Sequence, residues 1–223
     1  MFNLAVVIIL SYLVGSIPVS IIISKIVKGI DIRKHGSGNA GGTNVFRVLG
    51  WKYGVLTISL DATKGMIAVV LIARLYLGDF PFPNATPFDD FTLVQIFAGM
   101  SAVFGHIWSI FAEFKGGKGI ATGLGFLITL ITIDMLLALA VFVIVVTLSR
   151  YISLGSVSAA LSIPIIMVIR ENVFHVDIAG YHTILPFVIA VALLVTYTHR
   201  ANINRLLNGV ENRISLSKKS ARK

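Results

Sequence analysis

The sequence predicts an all-α membrane protein of seven transmembrane helices, amino terminus outside and carboxyl terminus cytoplasmic. Composition, the length of the apolar runs and the placement of basic residues lead there. Of 223 residues, 56% are hydrophobic and 13% charged, with a mean hydropathy of +0.90; a soluble domain is about 25% charged. Several apolar runs approach the roughly 20 residues that an α-helix needs to cross about 30 Å of hydrocarbon. The alternation of transmembrane strands is absent, and lipid offers no partner to an open backbone, so a helical bundle remains.

Five runs read directly as spans: about Leu4 to Ser24, Tyr53 to Leu77, Phe91 to Phe111, Ile152 to Ile169 and Thr183 to Thr198. The first begins MFNLAVVIIL, with neither a basic n-region nor a small-residue cleavage site. It is therefore expected to stay as a span and not to be removed as a signal peptide. Gly119 to Ser149 is harder, because its 31 residues hold a single charge, Asp134. As one helix this run would reach about 46 Å, too long for the bilayer; split at Ile133-Asp134 it gives two helices of about 22 Å, rather short.

The basic residues decide, since cytoplasmic loops carry the excess of Lys and Arg. With the run split there are seven spans, and of the 19 Lys and Arg only Arg74 and Arg170 fall outside, leaving 17 on or near the inner side. The outer side takes Asp79, Asp89, Asp90, Asp134, Glu171 and Asp177. Three polar stretches then share the cytoplasmic face: His35 to Arg47, Glu113 to Thr122, and His199 to Arg213. The basic tail, Ser215 to Lys223, is read as lying on anionic lipid. The absence of cysteine excludes disulfides, thiolate-bound zinc and a cysteine nucleophile together.

In the first polar stretch, Gly36-Ser37-Gly38-Asn39-Ala40-Gly41 fits the G-x-G-x-x-G dinucleotide pattern, with Asp61 at a suitable distance beyond. That fingerprint works only between a strand and a helix of a parallel βαβ unit. Here it follows a membrane span, so the dinucleotide reading is set aside. A solvated loop with glycines at its turns is one reading. Ser37, Asn39, Thr43 and Asn44 leading to Arg47 suit the other, a donor-rich backbone that cradles phosphate beside an arginine.

The second stretch carries Gly116-Gly117-Lys118-Gly119 ahead of a short helix from Ile120. It is not a Walker loop, since no glycine stands five residues before Gly117 and no Ser or Thr follows Lys118. Lys118 and its backbone amides suit an anion at a helix amino terminus; Lys115 and Lys118 equally suit plain inner-face anchors. His106 reads as structural more than as a base. In the third stretch His199, Asn202 and Arg205 stand at i, i+3 and i+6, near one face of a helix leaving the membrane, or of an amphipathic end. Ser153 and Ser156, one turn apart, read as helix-packing serines. Asp61 and Lys64, at i and i+3, read as a structural ion pair.

No G-x-S-x-G elbow surrounds any serine and no H-x-x-x-x-D occurs. Carboxylates for Mg²⁺ or zinc are not clustered. An electropositive, carboxylate-poor pocket at a membrane surface remains, suited to a phosphorylated substrate and a lipid.

Together, GSGNAGGTNVFRVLG, GHIWSIFAEFKGGKGIATG and HRANINRLLNGVE, with LDATKG and SRYISLGS between them, resemble the signatures of the PlsY-type family, the bacterial membrane acyl-phosphate:glycerol-3-phosphate acyltransferases. The resemblance covers nearly the whole chain and implies a single membrane acyltransferase domain over residues 1–223, in the bacterial inner membrane, with its site facing the cytoplasm. It implies transfer of a fatty acyl group from acyl phosphate to the 1-hydroxyl of sn-glycerol 3-phosphate, giving lysophosphatidic acid and phosphate.

Carried over by position, Arg47, Lys118, Ser156, His199 and Asn202 would hold glycerol 3-phosphate, and Ser37 would line the phosphate site. Gly38, Asn39 and Gly41 would receive a phosphate, Thr43 and Asn44 would support that loop, and Gly117 would contribute to the second. His199, Lys118 and Arg47 would be the catalytic set. No cofactor, no metal and no nucleic acid is expected, and a monomer is. The proton of the hydroxyl goes either to His199 or to a substrate phosphate oxygen; the second is favoured, because no carboxylate is evident to orient the histidine. A membrane transporter or binding protein for a phosphorylated solute is the alternative, but it would be expected to show repeats and midplane polar breaks.

Overall fold

The computed structural model describes residues 3–76, 90–178 and 180–214. Leu77, Asp79, Asp89 and the basic tail Ser215 to Lys223 lie outside the described residues. Among those described, the chain is built of helices without strands. It divides into two compact units, residues 1–132 and 133–223.

In the first unit, α1 (Leu4–Ser16) starts at Asn3, whose side chain accepts from the Val6 amide at 3.1 Å. It stops where Pro18 removes a backbone donor, and α2 (Val19–Lys28) resumes the same apolar run. The expected span from Leu4 to Ser24 is thus a broken one that continues to Lys28. Next come α3 (Gly42–Leu49), α4 (Trp51–Ile67), α5 (Asp90–Ile107) and α6 (Ile120–Leu130). A π-helical turn, Ala68–Ile72, and a short 3-10 turn extend α4 to Leu75.

Small residues set the packing of this unit. A Cβ on Gly15 of α1 would run into the Ala102 carbonyl of α5, and one on Gly105 into the Tyr12 carbonyl. Gly65 of α4 and Gly125 of α6 face the Thr122 and Ala62 carbonyls in the same way. Such close backbone approach is how helices associate where lipid competes equally for apolar side chains. Val7, Ala68, Ile72, Val94, Ala98 and Ala102 fill the space between α1, α4 and α5.

The second unit comprises α7 (Thr132–Ser149), α8 (Ile152–Asn172), α9 (Tyr181–Thr198) and α10 (Arg200–Leu207). The awkward run therefore divides at Ile131, whose backbone is non-helical, two residues before the expected point. Asp134 lies inside the first turn of α7, and its Oδ2 meets Arg170 Nη1 of α8 at 2.6 Å. The single charge of the run is thus half of an ion pair, with the carboxylate buried and Arg170 half-buried.

Among the described residues, six helices, counting α1–α2 and α4 with its extension as one each, are long and apolar enough to cross a membrane. The seventh expected span is α6, 11 residues long, or about 16 Å.

Candidate active site

The first glycine-rich loop is organised by Asn44, which is 2% exposed. Its Nδ2 donates to the carbonyls of Ile32 (3.1 Å), His35 (2.9 Å) and Asn39 (3.0 Å), and its Oδ1 accepts the Ser37 amide at 2.8 Å. Gly36 and Gly38 have φ of +61° and +74°, which side chains with a Cβ resist. At Gly36 a Cβ would also strike Asn44 Oδ1. The result is a loop closed around one amide, leaving Ser37 and Gly38 at the surface and Asn39, Gly41 and Thr43 half-buried. Arg47 stands exposed on α3, which lies tight on α4 because Gly42 faces Ile58 and Gly54 faces Phe46.

Arg33, which no local pattern marks, ties this loop to the second. Its guanidinium holds Asp31 with Nε at 3.1 Å from both oxygens and Nη2 at 2.8 Å from Oδ2, and its Nη1 donates to the Ala112 carbonyl at 3.0 Å. The hydrogen bond from Arg33, aided by its charge, outweighs desolvation and lowers the Asp31 pKa to about 2.

Beyond α5 the chain turns through Glu113 and Phe114, both at positive φ (57° and 59°). It then folds back on its own helix: the Gly116 amide donates to Ile107 O at 3.0 Å and the Gly117 amide to His106 O at 3.1 Å. The amides of Gly116 and Gly117 are therefore engaged within the loop. The donors left for an anion are the first-turn N–H groups of α6, which have no acceptor within their own helix. Gly119, at φ +77°, begins that helix, and Lys118 stands exposed just before it. A cavity of about 10 Å³, room for about one water, is lined by Ser16–Ser20, Ala40, His106, Ser109, Gly116 and Gly117. Both glycine-rich loops and the break in the first span meet there.

Behind His106 lies a buried charged cluster. Lys64 Nζ donates to Gly15 O (3.1 Å) and Ile17 O (2.9 Å), and lies 3.2 Å from His106 Nδ1 and 2.8 Å from Asp61 Oδ1. The expected Asp61–Lys64 pair is present, and it also holds the carbonyls exposed where α1 ends.

In the second unit, His199 sits between α9 and α10, 4% exposed, its Nδ1 2.8 Å from Val195 O. A carbonyl can only accept, so Nδ1 carries a proton and Nε2 is the remaining nitrogen. Asn202, on α10, donates to Glu211 Oε1 at 2.9 Å; Ser153 reaches the same oxygen at 3.0 Å, and Arg205 Nε meets Oε2 at 2.6 Å. Glu211, the one carboxylate of the third polar stretch, gathers three side chains. Burial acts to raise its pKa, but the hydrogen bonds from Asn202, Arg205 and Ser153 outweigh it and hold the carboxyl below its usual range. Ser156 donates to Ile152 O at 3.0 Å, one turn back along α8.

Residues 5–209 match the family model described as glycerol-3-phosphate acyltransferase. The glycerol-3-phosphate acyltransferase of Chlorobaculum tepidum is 44% identical, covering 99% of this chain and 100% of that protein. That of Chlorobium phaeobacteroides is 45% identical over 96% and 97%. Two crystal structures of PlsY (YgiH), an integral membrane glycerol 3-phosphate acyltransferase, superpose on it at 36% identity. The glycerol 3-phosphate form has a TM-score of 0.77, covering 95% of this chain and 96% of that one. The lysophosphatidic acid form has a TM-score of 0.75, covering 95% of each.

Proposed function

The chain belongs to the glycerol-3-phosphate acyltransferase family, and from that premise we propose that its acyl donor is an acyl phosphate and that Arg47 and Lys118 neutralise substrate phosphate. It is a multi-pass membrane enzyme that acylates glycerol 3-phosphate in phospholipid synthesis. The observation that carries the proposal is the pair of glycine-rich loops, each bearing an exposed cation, Arg47 on α3 and Lys118 at the start of α6.

In the reaction, the 1-hydroxyl oxygen of glycerol 3-phosphate attacks the acyl carbonyl carbon, the bond from that carbon to the phosphate oxygen breaks, and inorganic phosphate leaves. A mixed anhydride has a good leaving group, so orientation and charge neutralisation supply most of the acceleration. Ser156, His199 and Asn202 take the role of glycerol 3-phosphate ligands. Ser37 lines a phosphate, and Gly38, Asn39, Gly41 and Gly117 shape the loops that receive it, with Thr43 and Asn44 behind them. The proton goes to a phosphate oxygen of the substrate, and the Val195 carbonyl, 2.8 Å from Nδ1, holds the His199 ring in place. We further propose that α6 completes seven spans, with the amino terminus outside, the carboxyl terminus and active site cytoplasmic, and the protein in the bacterial inner membrane.

Replacing Arg47 or Lys118 by Met tests the site. The KM for glycerol 3-phosphate is expected to rise about 10- to 100-fold for each, the scale of one lost charge-assisted contact. An unchanged KM in both variants overturns the assignment. For His199→Ala, single-turnover acyl transfer at saturating substrate is expected to slow less than KM rises; loss of several orders of magnitude in that step would make His199 the base.

A further inference from the structure

We propose that His106 is a positioning residue for the second glycine-rich loop, its imidazole fixed from behind by Lys64 so that the backbone at Gly117, and with it Lys118, is set for phosphate. The inference rests on the reading of Lys118 as a phosphate ligand.

His106 joins the buried cluster to the loop by two routes. Its carbonyl accepts the Gly117 amide at 3.1 Å, while the Ile107 carbonyl accepts that of Gly116 at 3.0 Å. Its ring backs directly onto Gly117: a Cβ there would collide with Nε2, with Ala40 O of the first loop also 2.8 Å away. Gly117 is thus confined between the imidazole and the first loop.

The ring's orientation is itself determined. Lys64 Nζ donates to Gly15 O and Ile17 O and lies 3.2 Å from His106 Nδ1. Asp61 Oδ1 lies 2.8 Å from Nζ and 3.5 Å from the same Nδ1. With Nδ1 held by this pair, Nε2 faces the loop side. Because Lys64 also holds the last carbonyls of α1, the broken first span, the α5 terminus and the loop before α6 share one anchor.

The test separates loop placement from stability. Asn at position 106 keeps an acceptor near Nδ1 and removes the ring from behind Gly117. His106→Asn is therefore expected to raise the KM for glycerol 3-phosphate about tenfold with kcat changed less than about threefold, the scale of weakening the charge-assisted contact from Lys118. The melting temperature in detergent stays near that of the parent. His106→Gln, whose amide reaches the Nε2 position, restores KM to within about threefold. Asp61→Asn/Lys64→Met, a neutral pair that leaves His106 in place but unanchored, reproduces the KM rise and covers the case in which His106→Asn does not accumulate. In a Lys118→Met background neither change raises KM further. An unchanged KM in His106→Asn and in the neutral pair, with KM raised in Lys118→Met, overturns the proposal alone. A lowered melting temperature without a KM change does so too, making His106 purely structural. An unchanged KM in Lys118→Met removes the underlying reading of the loop and this inference with it.

Discussion

Asn44 sits inside the loop proposed to receive phosphate, and its own amide is occupied by three carbonyls and one N–H. Its replacement by Ala leaves those buried groups without partners, at a cost of about 1 to 3 kcal/mol. Thermal unfolding of Asn44→Ala is the check, and a fall of several degrees in melting temperature is expected. Asp31 gives a pH signature. Its folded pKa of about 2 lies below the ordinary value near 4, so the stability it contributes is fully present above about pH 4 and disappears as pH falls toward 2. The melting-temperature difference between the parent and Asp31→Asn should shrink over that window; a constant difference would mean that the Arg33 pairing does not set it. Candidates such as Ser37, Arg47 and Lys118 can be singled out from the sequence because glycine spacing and charge are local properties. The bond from Arg33 to the Ala112 carbonyl and the gathering of Asn202, Arg205 and Ser153 on Glu211 cannot, since each depends on contacts that only folding creates.

Helix existence was readable from apolar length, and helix interruption was not. Pro18 lies in an unbroken apolar run, so hydropathy could not signal that α1 ends there and that Lys64 holds its last carbonyls. The division at Ile131 was placed two residues late because Asp134 looked like the break. The charge is instead tolerated within α7 by pairing with Arg170. Asp134→Leu strands that arginine and should cost about 3 to 5 kcal/mol, with much of the loss recovered in Asp134→Leu/Arg170→Met; equal melting temperatures for the single and double variants would contradict the pairing. Between α4 and α6 there is no room for a side chain at Gly65 or Gly125. Gly125→Val is expected to destabilise by at least about 1 to 3 kcal/mol, read as a lowered melting temperature.

The proposed topology rests on one asymmetry, 17 basic residues against 2, and the absence of cysteine makes it directly measurable. With a membrane-impermeant maleimide, Asn208→Cys should label only in inside-out vesicles and His175→Cys only in right-side-out ones. The opposite pattern would invert the orientation, and labelling of both from one side would remove a span. The composition and the polar stretches suit a phosphorylated substrate at a membrane surface, the family makes the reaction the acylation of glycerol 3-phosphate, and the donor is what the proposal adds. The most direct test offers the purified protein glycerol 3-phosphate with palmitoyl phosphate, palmitoyl-CoA or palmitoyl acyl carrier protein, and measures lysophosphatidic acid and inorganic phosphate together. The account predicts equal amounts of the two products from palmitoyl phosphate and no product from either thioester; lysophosphatidic acid formed from a thioester, with palmitoyl phosphate inert, would contradict it.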